Sequence, residues 1–272
     1  MEHGVKYKLG ISTCPNDTFM FHAILERAID MEGMQLEIEL LDVQELNQRL
    51  ASGTLELSKA SCYAAARMLD RYEICPAGAA LGFGVGPLLL ARSDAPPLDA
   101  NARVLCPGAL TTAGLLFRHL YPAATRIENV VFSEIMPALE NGSADYGVVI
   151  HEGRFTYAQQ GLTLISDLGQ LWESEFQVPL PLGCIVASLE LPIEVRERFA
   201  RLVKRSILYA HEHRSETLYT MQRYAQELSE PVIWAHVDLY VNEWSLDLGD
   251  DGRRALDVFM ALAQGDRYPV QP

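Results

Sequence analysis

Gly86-Pro-Leu-Leu-Leu-Ala-Arg92 is an apolar run bounded by glycine, proline and charge, and it has a counterpart in Pro181-Leu-Gly-Cys-Ile-Val-Ala187. Short apolar runs between turn residues read as strands buried on both faces. The two bracket the middle third of the chain. If both cross between lobes, residues 94–186 form an inserted second lobe. Residues 1–93 and 187–272 then form the first, with the C-terminal helices packed back on it. The architecture expected is α/β and two-lobed, with mixed, mostly parallel sheets, two crossing hinge strands and a ligand cleft that closes between the lobes.

Strand and helix patterns alternate on both sides of the first run. Tyr7 to Ser12 reads as a strand, Thr18 to Asp30 as a helix, and Gln35 to Asp42 as a strand with Leu36, Ile38 and Leu40 at alternate positions. A helix from Val43 to Ala51, a strand from Leu55 to Ser58 and a helix from Ser61 to Tyr72 follow. This order argues for parallel strands with helices on their faces. Ala95-Pro-Pro-Leu-Asp99 is the strongest linker signal, and the series restarts after it. From Leu191 the pattern is helical, in three segments divided at Ser229-Glu-Pro231 and at Leu248 to Gly252.

With 272 residues and 49% hydrophobic content, the chain can bury a full core and exceeds the usual size of one domain. The net charge of −14 excludes nucleic acid and anionic membrane surfaces as partners, since both want a basic face. A small anionic substrate remains open, because it needs only a locally positive pocket. Met1 to Lys6 is short and polar, and no apolar run approaches the ~20 residues of a membrane helix, so a cytoplasmic protein is expected. Five cysteines without C-x-x-C spacing fit reduced thiols, with neither a disulfide framework nor a metal site. The oligomeric state has no signature.

The chemistry collects where strands end. Tyr146 to Ile150 is an inner strand that runs into His151, Glu152, Arg154 and Tyr157. Ligands of open α/β sheets sit beyond such strand ends. A histidine there, with an ordinary pKa of about 6.5, can serve as a general base. Three strand-to-helix junctions add polar groups: Ser12-Thr-Cys-Pro-Asn-Asp-Thr18, Ser58-Lys-Ala-Ser61 and Pro107 to Ala113. Asn16 or Asp17, Ser61 and Thr111 are the expected N-caps, each worth about 1 kcal/mol as a cap alone. Together the junctions offer helix N–H groups to an anion, with Lys59 as a nearby cation. The glycines of Gly78 to Pro87 precede a strand where a dinucleotide fingerprint needs a helix, so they read as a tight turn that brings Gly84 and its neighbours to the ligand. Cys14 sits at a crevice edge and reads as a small packing residue, with a nucleophile as the alternative, and His22 and His236 read as packed or surface residues of amphipathic helices. His211 and His213 do not share a helix face and make a poor metal pair.

These motifs carry a family resemblance. Ser12-Thr-Cys-Pro-Asn-Asp-Thr-Phe19, paired with Ile150-His-Glu-Gly-Arg-Phe-Thr-Tyr157, is similar to the 1,4-dihydroxy-6-naphthoate synthase family of the futalosine route to menaquinone. The segments D-V-Q-E-L-N, S-K-A-S-C-Y, G-V-G-P-L-L, W-A-H-V and Y-V-N-E-W-S-L-D-L-G extend the likeness over Leu9 to Gly252. The resemblance implies a periplasmic-binding-protein-like (type II) fold. It implies a cytoplasmic lyase, needing no cofactor, that converts cyclic dehypoxanthinyl futalosine into 1,4-dihydroxy-6-naphthoate and dihydroxyacetone. It implies that His151 is the proton acceptor and that Lys59, Ala60 and Ser61, with Thr112 and Ala113, contact substrate. Thr13 stands where the family commonly has proline, and Ser58-Lys-Ala-Ser61 where it has Thr-Lys-Leu-Ser, so Ala60 leaves one wall looser. The competing readings are the sister chorismate dehydratase, which shares fold and pathway, and a non-catalytic binding protein for a small aromatic or hydroxy acid.

Overall fold

Leu9 and Ile11 carry the first strand out of solvent and into the core. In the computed structural model, which describes residues 5–151, 153–225 and 229–266, this strand is β1 (Lys6–Ser12). It pairs in parallel with β2 (Gln35–Leu41) and β3 (Leu57–Ser61). Beyond β3 lies β11 (Leu180–Ser188), antiparallel to it, and β11 also pairs antiparallel with β4 (Tyr72–Ile74) and β5 (Ala80–Gly82), completing a six-stranded sheet. The second sheet has five strands. Its order is β10 (Thr163–Asp167), β6 (Leu88–Ala91), β9 (Tyr146–Val149), β7 (Val104–Cys106) and β8 (Ile127–Asn129). The sheets are mixed. Parallel pairing holds within β1 to β3 and β7 to β9 and fails at β6 and β11, which enter their sheets from the other lobe and run against their neighbours.

The strand of each similar segment stays within one sheet. Leu88–Ala91 lies in the second sheet and Leu180–Ser188 in the first. The chain passes between the sheets just before each of them, over residues 83–87 and over helix α8 (Leu168–Phe176) with the residues that follow it. The expected limits at 94 and 186 therefore miss both passages, and the Ala95–Asp99 signal is a loop inside the second lobe, between β6 and β7. The two passages lie against each other. Leu168 donates its N–H to the Pro87 carbonyl (2.9 Å). A Cβ on Gly86 would fall 2.2 Å from the Gly169 Cα, so only glycine allows this approach. Arg154 fastens the junction, donating to the Gly86 carbonyl (2.5 Å) and to Asp167 (2.6 Å), which itself caps α8.

The expected helix over 18–30 is two short ones, α1 (Pro15–Met20) and α2 (His22–Leu25), broken at Phe21. Then come α3 (Val43–Ala51), α4 (Cys62–Ala66), α5 (Thr112–Leu120), α6 (Phe132–Glu140) and α7 (Gly153–Thr156). The C-terminal part holds α9 (Ile193–Glu212), α10 (Arg214–Tyr224), α11 (Glu230–Tyr240), α12 (Glu243–Leu246) and α13 (Gly249–Gly265), more breaks than the three segments expected. The stripe Phe199, Val203, Ile207 and Ala210 packs α9 under Leu9 and Ile11 of the first sheet. A larger core runs through both sheets, joining Ala60 and Cys184 of the first to Leu89 and Val104 of the second, with Tyr63 of α4, Trp172 of α8 and Phe259 of α13. Each large side chain buried there contributes about 1.5–3 kcal/mol. The lobes are therefore joined by packing as well as by the chain. No helix among the described residues is long and apolar enough to cross a membrane.

Candidate active site

The carboxyl ends of β1 and β3 face the turn after β9 across a cavity of about 100 Å³. Ser12, Asn16, Lys59, Ala60, Ser61, Thr111, Thr112, Ala113 and His151 all line it. Gly84 does not. Its φ is 70° and its N–H donates to Glu173 (2.6 Å), while Val85, Gly86 and Pro87 take the place expected of it.

The wall on the first lobe is a saturated ion pair. Lys59 Nζ donates to Asp17 Oδ1 (2.5 Å), and both side chains are buried. Asp17 also accepts from Ser12 Oγ (2.6 Å) and from Asn16 Nδ2 (3.0 Å). Lys59 is at the cavity as expected, with its ammonium committed to Asp17. Burying both charges is tolerated because they are paired and the carboxylate accepts from three donors. Gly183 of β11 leaves the room, since a Cβ there would sit 2.8 Å from Lys59 Cε. Asn16 and Asp17 lie inside α1 and are not its cap, a position held by Cys14 ahead of Pro15.

Ser61 precedes α4 but does not cap it with its side chain. Its hydroxyl reaches across to the second lobe, accepting from the Thr112 N–H (2.8 Å) and lying 3.2 Å from Thr112 Oγ1. Thr112 Oγ1 donates in turn to the Leu182 carbonyl (3.1 Å). Thr111 caps α5 as expected, accepting from the Gly114 N–H (3.1 Å). With Thr112 and Gly114 committed, the Ala113 N–H is the donor of this first turn that has no partner among the described residues, and it sits at the cavity.

His151 ends its strand in the left-handed region, with φ 57°. That conformation is uncommon for a residue with a Cβ and turns the chain abruptly. Its half-buried ring meets the Cys14 thiol, with Sγ 3.4 Å from Nδ1, the Phe132 ring in an edge-to-face contact, and the ring of His236, 12° from parallel with centroids 6.1 Å apart. Arg154 belongs to the hinge junction described above, and Tyr157 packs on a small core of the second lobe. Glu152 lies outside the described residues.

Two further side chains, Cys14 and His236, line the cavity, the first read at a crevice edge and the second as a packed or surface residue. Cys14 is the one partly exposed thiol of the five, while burial pushes the thiols of Cys62, Cys75 and Cys106 up. Its place in a strand-to-helix junction was the available signal. His236 lies on α11, whose apolar residues give no sign that one face lines a site. It is fully buried, with Nε2 3.0 Å from Asn16 Oδ1. Burial first, then His151 and Lys59, hold its pKa well below the usual histidine value. His22 is a packed residue, bonded to Thr220 (2.8 Å) and with its pKa lowered by burial.

A sequence profile described as menaquinone biosynthesis matches residues 7–265. The chain belongs to this menaquinone biosynthesis family. It is 42% identical to a 1,4-dihydroxy-6-naphthoate synthase of Thermus thermophilus over 94% of this chain and 93% of that protein. It is 37% identical to another from Streptomyces coelicolor, over 95% and 93%. A solved protein of Archaeoglobus fulgidus superposes with a TM-score of 0.90 at 31% identity, covering 97% of this chain and 99% of the other. A gene product of Candida albicans described as having the generic periplasmic binding protein fold gives 0.67 at 13% identity, over 98% and 92%, a likeness of fold alone. In this member of the menaquinone biosynthesis family the cavity offers two imidazoles, a thiol, an unpaired helix N–H and two hydroxyls. No group of three or more metal-ligating side chains is found among the described residues. The set suits proton transfer and the stabilisation of charge on oxygen.

Proposed function

We propose that this chain is a 1,4-dihydroxy-6-naphthoate synthase: a cytoplasmic lyase that converts cyclic dehypoxanthinyl futalosine into 1,4-dihydroxy-6-naphthoate and dihydroxyacetone, with no cofactor and with His151 as general base. The relatives that share 42% and 37% of its residues carry that name. The observation that carries the reading is the delivery of His151, on its left-handed turn, into a cavity whose opposite groups are hydrogen-bond donors.

The chemistry follows from the groups present. His151 takes a proton from substrate carbon, the electron pair left behind forms a ring double bond as the bond to the three-carbon fragment breaks, and the proton held on His151 passes to the departing fragment, leaving the ring aromatic. Negative charge that gathers on oxygen meets the Ala113 N–H and the hydroxyl of Ser61. The N-terminus of α5 favours the substrate's carboxylate at the same end. Closure by the Ser61–Thr112 contact keeps water from the base.

Purified protein given cyclic dehypoxanthinyl futalosine and, separately, chorismate distinguishes the readings. Formation of naphthoate and dihydroxyacetone from the first, with no reaction of the second, is expected. Turnover of chorismate alone would make the chain the sister dehydratase. Binding of either without turnover would make it a binding protein.

A further inference from the structure

His236 has no part in the reading above, and its surroundings fix its chemistry. Asp17 is a carboxylate paired with Lys59 and can only accept, so the neighbouring Asn16 must turn its NH₂ to it (3.0 Å). Asn16 Oδ1 then faces His236, and His236 must donate from Nε2 (3.0 Å). Burial, with His151 and Lys59 facing the ring, keeps the imidazole neutral. A neutral imidazole has one N–H, so Nδ1 carries a lone pair. Nδ1 is buried without any hydrogen-bond partner, on a residue that is 1% exposed and lines the cavity. Tyr240, one turn on, packs its ring against the same imidazole at 4.6 Å and lines the cavity too.

A buried acceptor without a donor costs free energy, and a ligand hydroxyl at this wall removes that cost. A carboxylate is repelled there, because lone pair would face lone pair, and its place is at the Ala113 N–H. We infer that His236 is a second substrate-binding histidine, whose Nδ1 accepts a hydrogen bond from a substrate hydroxyl and so sets which end of the molecule meets His151. The inference rests on the naphthoate synthase reading, which supplies a substrate bearing both hydroxyls and a carboxylate. Two histidines then hold different offices: His151, from the second sheet, moves a proton, and His236, from α11 of the first lobe, orients the substrate without titrating.

The test separates the two ring nitrogens. His236→Gln keeps an N–H for Asn16 and places nothing at Nδ1. His236→Asn places an amide oxygen near Nδ1. With cyclic dehypoxanthinyl futalosine, kcat/KM should fall about 10- to 100-fold in the Gln variant at unchanged Tm and recover in part in the Asn variant. In the wild type, the nitrogen-15 resonance of His236 Nδ1 should move when 1,4-dihydroxy-6-naphthoate is added, a readout that needs no variant to fold. A Gln variant within twofold of wild type, or an Nδ1 resonance unmoved by saturating naphthoate, overturns the inference and leaves His151 untouched. A wild type that neither turns over the futalosine nor binds the naphthoate sinks the functional reading first, and this one with it.

Discussion

The two walls of the cavity hold histidines in opposite settings. His151 stands half-buried on a sharp turn at a strand end, beside a thiol and an aromatic edge. His236 stands fully buried in a helix, tied through Asn16 to a carboxylate that is itself saturated by Lys59 and Ser12. In the proposed reading, one wall exchanges protons with the substrate. The other is fixed in charge and in tautomer, and it supplies a rigid surface against which substrate can be set. A site built this way separates orientation from chemistry, and variants on the two sides should fail differently.

The largest difference is expected at His151. His151→Ala should lower kcat by about 10²–10⁴-fold with little change in KM, measured by steady-state kinetics, because only the proton step is removed. A change confined to KM would place His151 with the orienting wall. On that opposite wall the cost should appear as stability. Lys59→Met leaves Asp17 buried and unpaired and should cost about 3–5 kcal/mol in urea unfolding. Removing both charges together should cost less than the sum of the single changes, since neither charge is then stranded. Equal additive losses would mean that the pair is not coupled.

Smaller effects are expected where the walls meet. Ser61→Ala and Thr112→Ala should each weaken substrate handling by about 1.5–3 kcal/mol, the loss of one hydrogen bond to a charged group, read as a rise in KM or a fall in kcat. If both leave the kinetics unchanged, the carboxylate binds elsewhere. The smallest effect is a slope with pH. Burial lowers the folded-state pKa of His236, so below about 6.5 the unfolded chain takes up a proton that the folded chain refuses. Stability should be flat above that pH. It should fall by up to about 1.4 kcal/mol per pH unit per proton as pH drops toward the folded-state value. His22 and His211, also lowered by burial, act in the same direction. Urea unfolding of His236→Gln between pH 7.5 and 5.5 should show a shallower slope than wild type.

What the sequence reveals of this site follows the same division. His151 is legible because a strand with its apolar run points at it. Thr111 is legible because a cap follows local rules. The partners of Lys59 and Ser61 are not, since Asp17 and Thr112 come from other segments and only packing brings them near. His236 is invisible for a further reason: a histidine among apolar helix residues looks the same whether its ring meets core or cavity. The lobe boundaries fail for a related cause. Leu88–Ala91 and Leu180–Ser188 are both apolar strands, but an apolar strand states that it is buried and not in which sheet. The close approach of Gly86 to Gly169, which marks the true passage, is a contact between distant residues.

Chemical rescue tests the central claim most directly. Free imidazole added to His151→Ala, with cyclic dehypoxanthinyl futalosine as substrate, should restore part of the lost turnover, rising with imidazole concentration and with the neutral fraction as pH increases. Turnover of that variant near the wild-type rate without imidazole would contradict the assignment of His151 as the base.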